Sequence, residues 1–327
     1  MYTFRYDCFD NVRFPGYIDS MNHLYDCSLS ILRKSSQSGQ INTLNDIFGY
    51  LEYYLVGLLK DQYITRENYS NILNRLEGIQ LIEILDPVIH DKVNGLSRGN
   101  IVALNPEPGE YAGLDKQESL QLATYHELGH CIASGNEENL QYLTAYVQKL
   151  YPKTLQGEDY YYFSQGFTLL EEVGVETAGE KILFSRKRKH RPETLCLRSK
   201  RLFPKGTFSS NLLEYREFQE VAYRFLSCLS LTKGESMDDV LDEFVSLLFS
   251  SDYCQKMSLE FQEDPKKGKD LIRMLICMGK IKEAKYSMFG YGKLKHDEVD
   301  VSSSYQEIFQ ISRSYQSTCQ SSKKIQS

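Results

Sequence analysis

Asp115-Lys-Gln-Glu-Ser-Leu-Gln-Leu-Ala-Thr-Tyr-His-Glu-Leu-Gly-His-Cys-Ile-Ala-Ser134 is the stretch on which the reading of this chain turns. Asp115 and Glu118 have the spacing of a capping box, so a helix is predicted from Lys116 to about Ser134, stopped by Gly135-Asn136. Leu120, Leu122, Ala123, Leu128, Ile132 and Ala133 occupy nearly every direction around it, the pattern of a buried helix. His126 and His130 lie four residues apart and differ by only about 40° in direction, so both imidazoles leave from one face. Glu127 points about 100° away from His126. Small residues (Ser119, Ala123, Ala133) flank the histidines and leave room for an ion, a water and a substrate. Two imidazoles and a carboxylate in a buried helix need partners, because unpaired buried polar groups are costly. This is the HExxH spacing: two zinc ligands with a glutamate that reaches water without displacing either.

The rest of the chain sets the context. Its 327 residues are long enough for a sizeable core, and 41% hydrophobic with 25% charged residues is an ordinary globular balance. A formal charge of −6 argues against a general nucleic-acid coat protein. No apolar run approaches the roughly 18 to 20 residues of a membrane span. The opening residues lack the pattern of a secretory signal, and the eight cysteines form no CxxC pair. A cytoplasmic protein with reduced thiols is expected, with export by another route left open.

Helices are predicted over Asp19–Arg33, Ile41–Lys60, Arg66–Leu76 and a segment ending near Leu85. Val88–Val93, the turn Asn94-Gly95 and Leu96–Leu104 read as a hairpin, whose best strand is Gly99–Leu104. Further helices are expected over Glu137–Leu150, Ser164–Phe184, Val221–Leu231, Val240–Phe249 and Leu271–Ile281, with a loosely held polar tail at the end. The expected division is 1–86 helical, 87–185 catalytic core, 186–211 basic connection, 212–302 helical and 303–327 tail.

A catalytic zinc takes three protein ligands. The metzincin pattern HExxHxxGxxH would need glycine at 133 and histidine at 136, where this chain has Ala133 and Asn136. HExxH followed by a second helix carrying Glu-x-x-x-Glu, here Glu172 to Glu176, instead resembles the gluzincin superfamily of zinc peptidases. The resemblance covers roughly residues 99–184. It implies Glu172 as third ligand and Glu176 as the acid supporting His126 from outside the metal's own ligand set. No Asn precedes Glu172, and the family's transition-state tyrosine or histidine is not placed. Helical geometry adds that Glu172, Glu176 and Glu180 are interleaved with Leu169, Val173, Leu183 and Phe184, so some must be satisfied by a cation or donor. Glu171 points to the other side and is the weaker ligand.

The fold expected is therefore α+β and mainly helical, a zincin-like core with a small sheet packed on the HExxH helix and helical regions on either side. Ile101, Val102, Ala103 and Leu104 are either a substrate-binding edge strand, pairing with peptide by β-augmentation, or an ordinary internal strand. Tyr162 and His190 are candidate oxyanion stabilisers, as is His296; core packing competes for the tyrosine and a surface position for the histidines. Cys131 reads as a buried thiol. Residues 186–205 hold nine Lys or Arg and one acid, and without them the net charge is −14. That segment docks an acidic partner, binds nucleic acid or is a solvated loop. Two functions compete. One is a zinc-dependent peptidase with one Zn2+ per chain, hydrolysing peptide bonds of a peptide or protein substrate through a metal-activated water with Glu127 as general base. The other is a regulatory or binding protein with a structural or degenerate zinc site.

Overall fold

The computed structural model describes residues 44–77, 79–83, 94–98, 101–105, 115–133, 137–187, 208–287 and 301–325. Helices α1 (Leu44–Lys60) and α2 (Arg66–Glu77) lead into a three-stranded sheet of β1 (Gln80–Glu83), β2 (Gly95–Arg98) and β3 (Ile101–Leu104). Then come α3 (Lys116–Ile132), α4 (Glu137–Leu150) and the long α5 (Glu158–Lys187). The remainder is α6 (Phe208–Leu226), α7 (Met237–Leu248), α8 (Tyr253–Glu263), α9 (Pro265–Ser287) and α10 (Val301–Ile325). The molecule is mainly helical with one small mixed sheet, and among the described residues no helix is long and apolar enough to cross a membrane.

The centre of the fold is α5, roughly 45 Å long at 1.5 Å per residue. Phe163, Phe167, Leu170, Val173, Val175, Ala178 and Ile182 are all buried and point in different directions around it. Such a helix must be covered on every side. It is packed by α1, α3, α4, α6, α7 and α9. One continuous apolar core runs from Tyr50 on α1 to Ile311 on α10, so the helical regions at both ends of the chain share it with the central helices. The capping box of α3 is present as expected: the Asp115 side chain accepts from Glu118 N–H at 2.8 Å, and Asp115 N–H donates to Glu118 Oε2 at 3.1 Å. At the other end, Arg75 on α2 donates Nη1 to Ile132 O at 2.9 Å, satisfying a last-turn carbonyl. The crossing of α3 over α5 depends on Gly129. A Cβ there would lie 2.8 Å from Val175 Cβ, so any side chain would push the two helices apart.

Several expectations need correction. Gln80–Glu83, expected within a helix, is a strand paired in parallel with β3, from Gln80↔Ile101 to Glu83↔Leu104. Ile79 and Leu81 are buried there, and short apolar runs of this kind cannot be assigned by periodicity alone. Asn94-Gly95 is not the hairpin turn. Gly95 begins β2 opposite Leu104, and Asn94 O accepts from Asn105 N–H at 2.9 Å. The antiparallel pairing instead runs from Gly95↔Leu104 to Arg98↔Ile101, so Asn94-Gly95 sits at the far end of the ladder from the point where the chain reverses. Ile101–Leu104 is not the edge strand. The order β1-β3-β2 makes it central, with its ladder groups used on both sides.

The tyrosines at 160–162 form the first turns of α5 rather than a connection. The expected tail is α10, whose Ser304, Ile308, Ile311 and Ser312 form a buried face against α9 and α6. Its Ser and Gln content hid that stripe. Asp19–Arg33, Val88–Val93, Gly135-Asn136, His190, His296 and most of the basic segment lie outside the described residues.

If α10 is part of the core, Ile308→Ala should cost about 2 to 5 kcal/mol of unfolding free energy in denaturant titration. Gln310→Ala, on the exposed side of the same helix, should stay within about 0.5 kcal/mol of the parent. Equal small effects would mean that the helix is not held by that face.

Candidate metal centre

Where α3 crosses α5, two histidines from one helix meet three acids of the other, Glu171, Glu172 and Glu176. His126 Nε2 and His130 Nε2 lie 3.1 Å apart. Glu172 Oε2 lies 3.3 Å from the first and 3.7 Å from the second. Tetrahedral zinc with bonds of about 2.0 to 2.2 Å requires its donor atoms to be about 3.3 to 3.5 Å apart. The three edges bracket that separation, and these three residues form a group able to hold a metal ion.

The outer ring nitrogens explain how the imidazoles are oriented. His126 Nδ1–H donates to Glu176 Oε2 at 2.7 Å, and His130 Nδ1–H donates to Glu171 Oε1 at 2.8 Å. An ionised carboxylate only accepts, so the proton must sit on Nδ1 in both rings. A neutral imidazole then presents a bare Nε2 lone pair, and both lone pairs face the point that Glu172 also faces. The two rings meet edge-to-face, with centroids 4.8 Å apart. Such carboxylate–histidine pairs fix the tautomer and raise the basicity of a metal-binding imidazole.

The electrostatics agree with a place prepared for positive charge. Burial pulls the His126 pKa down, but hydrogen bonds to Glu172 and Glu176 outweigh it and hold it up at about 9. His130 is also raised well above the usual value, with burial opposed by Glu171 and Glu172. Burial would raise Glu172, yet its bonds to the two histidines keep it well below the usual carboxylate range. Three carboxylates thus converge on two imidazoles, and the cluster favours cations at its centre, whether protons or a metal.

Glu127 sits differently. It is buried, and among the described residues no hydrogen bond or ion pair ties its carboxylate down, unlike the three acids of α5. It lies directly beneath β2. A Cβ on Gly95 would come within 2.6 Å of Glu127 Cγ and 2.9 Å of its Oε1, so any side chain there would displace the Glu127 carboxylate from its place under the strand. Cys131 stays a thiol: burial first, then the charges of Glu127 and Glu171, pushes its pKa up to about 12.

Comparison with protein-family models, curated proteins and solved structures found no match to this chain.

The structure therefore brings His126, His130, Glu172 and Glu176 together, as the sequence predicts, with Glu127 next to His126 on α3 and its side chain against Gly95. Glu171 requires a correction. It turns toward His130 rather than away, because the crossing angle lets two neighbouring residues of α5 straddle one imidazole. The need of His130 for its own Nδ1 acceptor was the available signal. Tyr162 is not at the site. It lies ten residues before Glu172, about 15 Å along the helix, with its ring against Tyr161 and under Lys280 Nζ. Neither Gly95 nor Lys282 of α9, whose Nζ is 4.0 Å from Glu172 Oε1, carries any local sequence signal.

Glu171→Ala and Glu176→Ala should each weaken divalent-metal affinity about 10- to 100-fold in a chelator-competition titration, since each removes the acceptor that orients one histidine. Glu180→Ala, which touches neither imidazole, should not. A larger loss for Glu180→Ala than for either of the others would misassign the supporting acids.

Proposed function

We propose that this chain is a zinc-dependent peptidase with a gluzincin-type site on a zincin-like core. One observation carries the reading: the donor triangle of His126, His130 and Glu172, with each histidine held from behind by its own glutamate. Two imidazoles and one carboxylate are the ligand set of hydrolytic zinc sites that keep a position open. Zinc, when bound, supplies a Lewis acid that acidifies water and polarises a carbonyl.

The remaining chemistry falls to the chain's own groups. Glu127 is adjacent in sequence to His126, yet it is not part of the triangle, and among the described residues no side chain hydrogen-bonds or ion-pairs with it, so its carboxylate is available as a base. It accepts a proton from the attacking water as the new C–O bond forms, then delivers that proton to the amine nitrogen as the C–N bond breaks. The side chain lies beside Gly95, on the sheet side of α3. The strand there is β2, which lies at the edge of the sheet and packs on α3. An extended peptide adding to that edge would present its carbonyl near Glu127 and the triangle.

A metal centre with no catalytic task would not need an uncommitted carboxylate beside it, and this favours the enzyme over a structural site. The test compares Glu127→Gln with the parent on a mixed library of quenched fluorescent peptides, with zinc measured in the same preparations. Cleavage should fall by a factor of about 10² to 10⁴ while zinc content is unchanged. A Gln variant that keeps both its zinc and full cleavage would place the general base elsewhere. A parent that holds zinc and cleaves nothing in the library would favour a structural role.

A further inference from the structure

Glu172 has two carboxylate oxygens, and the histidines face only one. Oε2 points to the imidazoles at 3.3 and 3.7 Å, whereas Oε1 lies 4.0 Å from Nζ of Lys282 on α9. Lys282 is not a loose surface side chain: only 12% of it is exposed. Its Nζ donates to Thr168 Oγ1 at 2.5 Å, and Thr168 is one turn before Glu172 on the same face of α5. Thr168 is itself fixed, its hydroxyl donating to Gln165 O at 2.9 Å. The Thr168 hydroxyl thus holds the ammonium beside Oε1, the Glu172 oxygen other than the one nearest the histidines. Being partly buried, this pair is screened by salt much less than an exposed one.

A carboxylate can meet a metal through one oxygen or through both. With both, it takes up a coordination position that a hydrolytic site needs for water or substrate. We propose that Lys282 is a positioning residue that holds Glu172 Oε1 back, so that Glu172 binds the metal through Oε2 alone. The inference rests on the metal-site reading above and adds a role for α9. It also makes a distinctive demand, because a lysine close to the triangle repels a metal ion while it orders the ligand. Removing it frees the second oxygen and removes the repulsion, so metal binding should not weaken even though the open position is lost.

The experiment uses the full chain loaded with zinc or with cobalt(II), whose visible bands are intense when four-coordinate and weaker when five-coordinate. Lys282→Met should hold zinc as tightly as the parent or more tightly. Its cobalt spectrum should shift to the weaker five-coordinate form, and kcat on a cleaved library peptide should fall about 10- to 100-fold. Lys282→Arg should restore part of the four-coordinate intensity. If Lys282→Met does not fold by circular dichroism, Thr168→Val, which removes the hydroxyl holding the ammonium, should shift the spectrum in the same direction. A lysine that merely packs α9 on α5 would instead release zinc when replaced, and that outcome overturns the proposal. An unchanged cobalt spectrum in Lys282→Met also overturns it while leaving the metal site standing. A parent chain that binds neither zinc nor cobalt overturns the metal site itself, and this inference with it.

Discussion

Two imidazoles lodged between packed helices must have partners for all four ring nitrogens, and meeting that demand organises the centre of this protein. The outer nitrogens take Glu171 and Glu176, and the inner ones face Glu172. All three acids come from adjacent turns of one helix. Their arrangement is therefore set by a single quantity, the register of α5 against α3. Gly129 fixes that register by letting the backbones approach at Val175. The helices packed around α5, together with the carbonyl that Arg75 satisfies at the end of α3, keep it from sliding. A shift of one residue along α5 would rotate the acids by about 100° and leave several charged groups buried without partners.

Much of this was legible in the sequence because it is local. The capping box at Asp115, the i and i+4 histidines and the apolar residues around α3 are consequences of one helix and need no knowledge of the fold. The interleaving of Glu172 and Glu176 with apolar residues also pointed inward correctly. What depends on crossing angles was not legible. Glu171 projects from a different side of α5 than Glu172 in an isolated helix, yet both reach His130 once α3 lies across them. Lys282 is more than a hundred residues from Glu172, and its partnership exists only because α9 packs along α5.

The strands were the weakest part of the reading for a related reason. Four-residue segments such as Gln80–Glu83 carry too few positions for a period of 2 to be told from one of 3.6, and their identity comes from pairing. Asn94-Gly95 suits a tight hairpin connection by its composition, yet it falls at the end of the β2–β3 ladder. The register is the one that buries Val102 and Leu104 on one face of β3, which a shifted pairing would expose. Likewise α10 passed for a polar tail because its buried side is narrow and half of it is serine: Ser304, Ile308, Ile311 and Ser312.

The donor triangle draws on residues 126, 130 and 172, so it exists only after α3 and α5 have docked. An unfolded chain offers a metal two histidines and a distant acid, with no fixed separation among them. A cation bound at the crossing would therefore act as a staple between two segments more than forty residues apart, and its binding free energy would add to the stability of the whole fold. Should the proposed metal bind there, removing it would leave the crossing without that staple, and the chain would then open more often and be cut sooner by a protease that acts on opened structure.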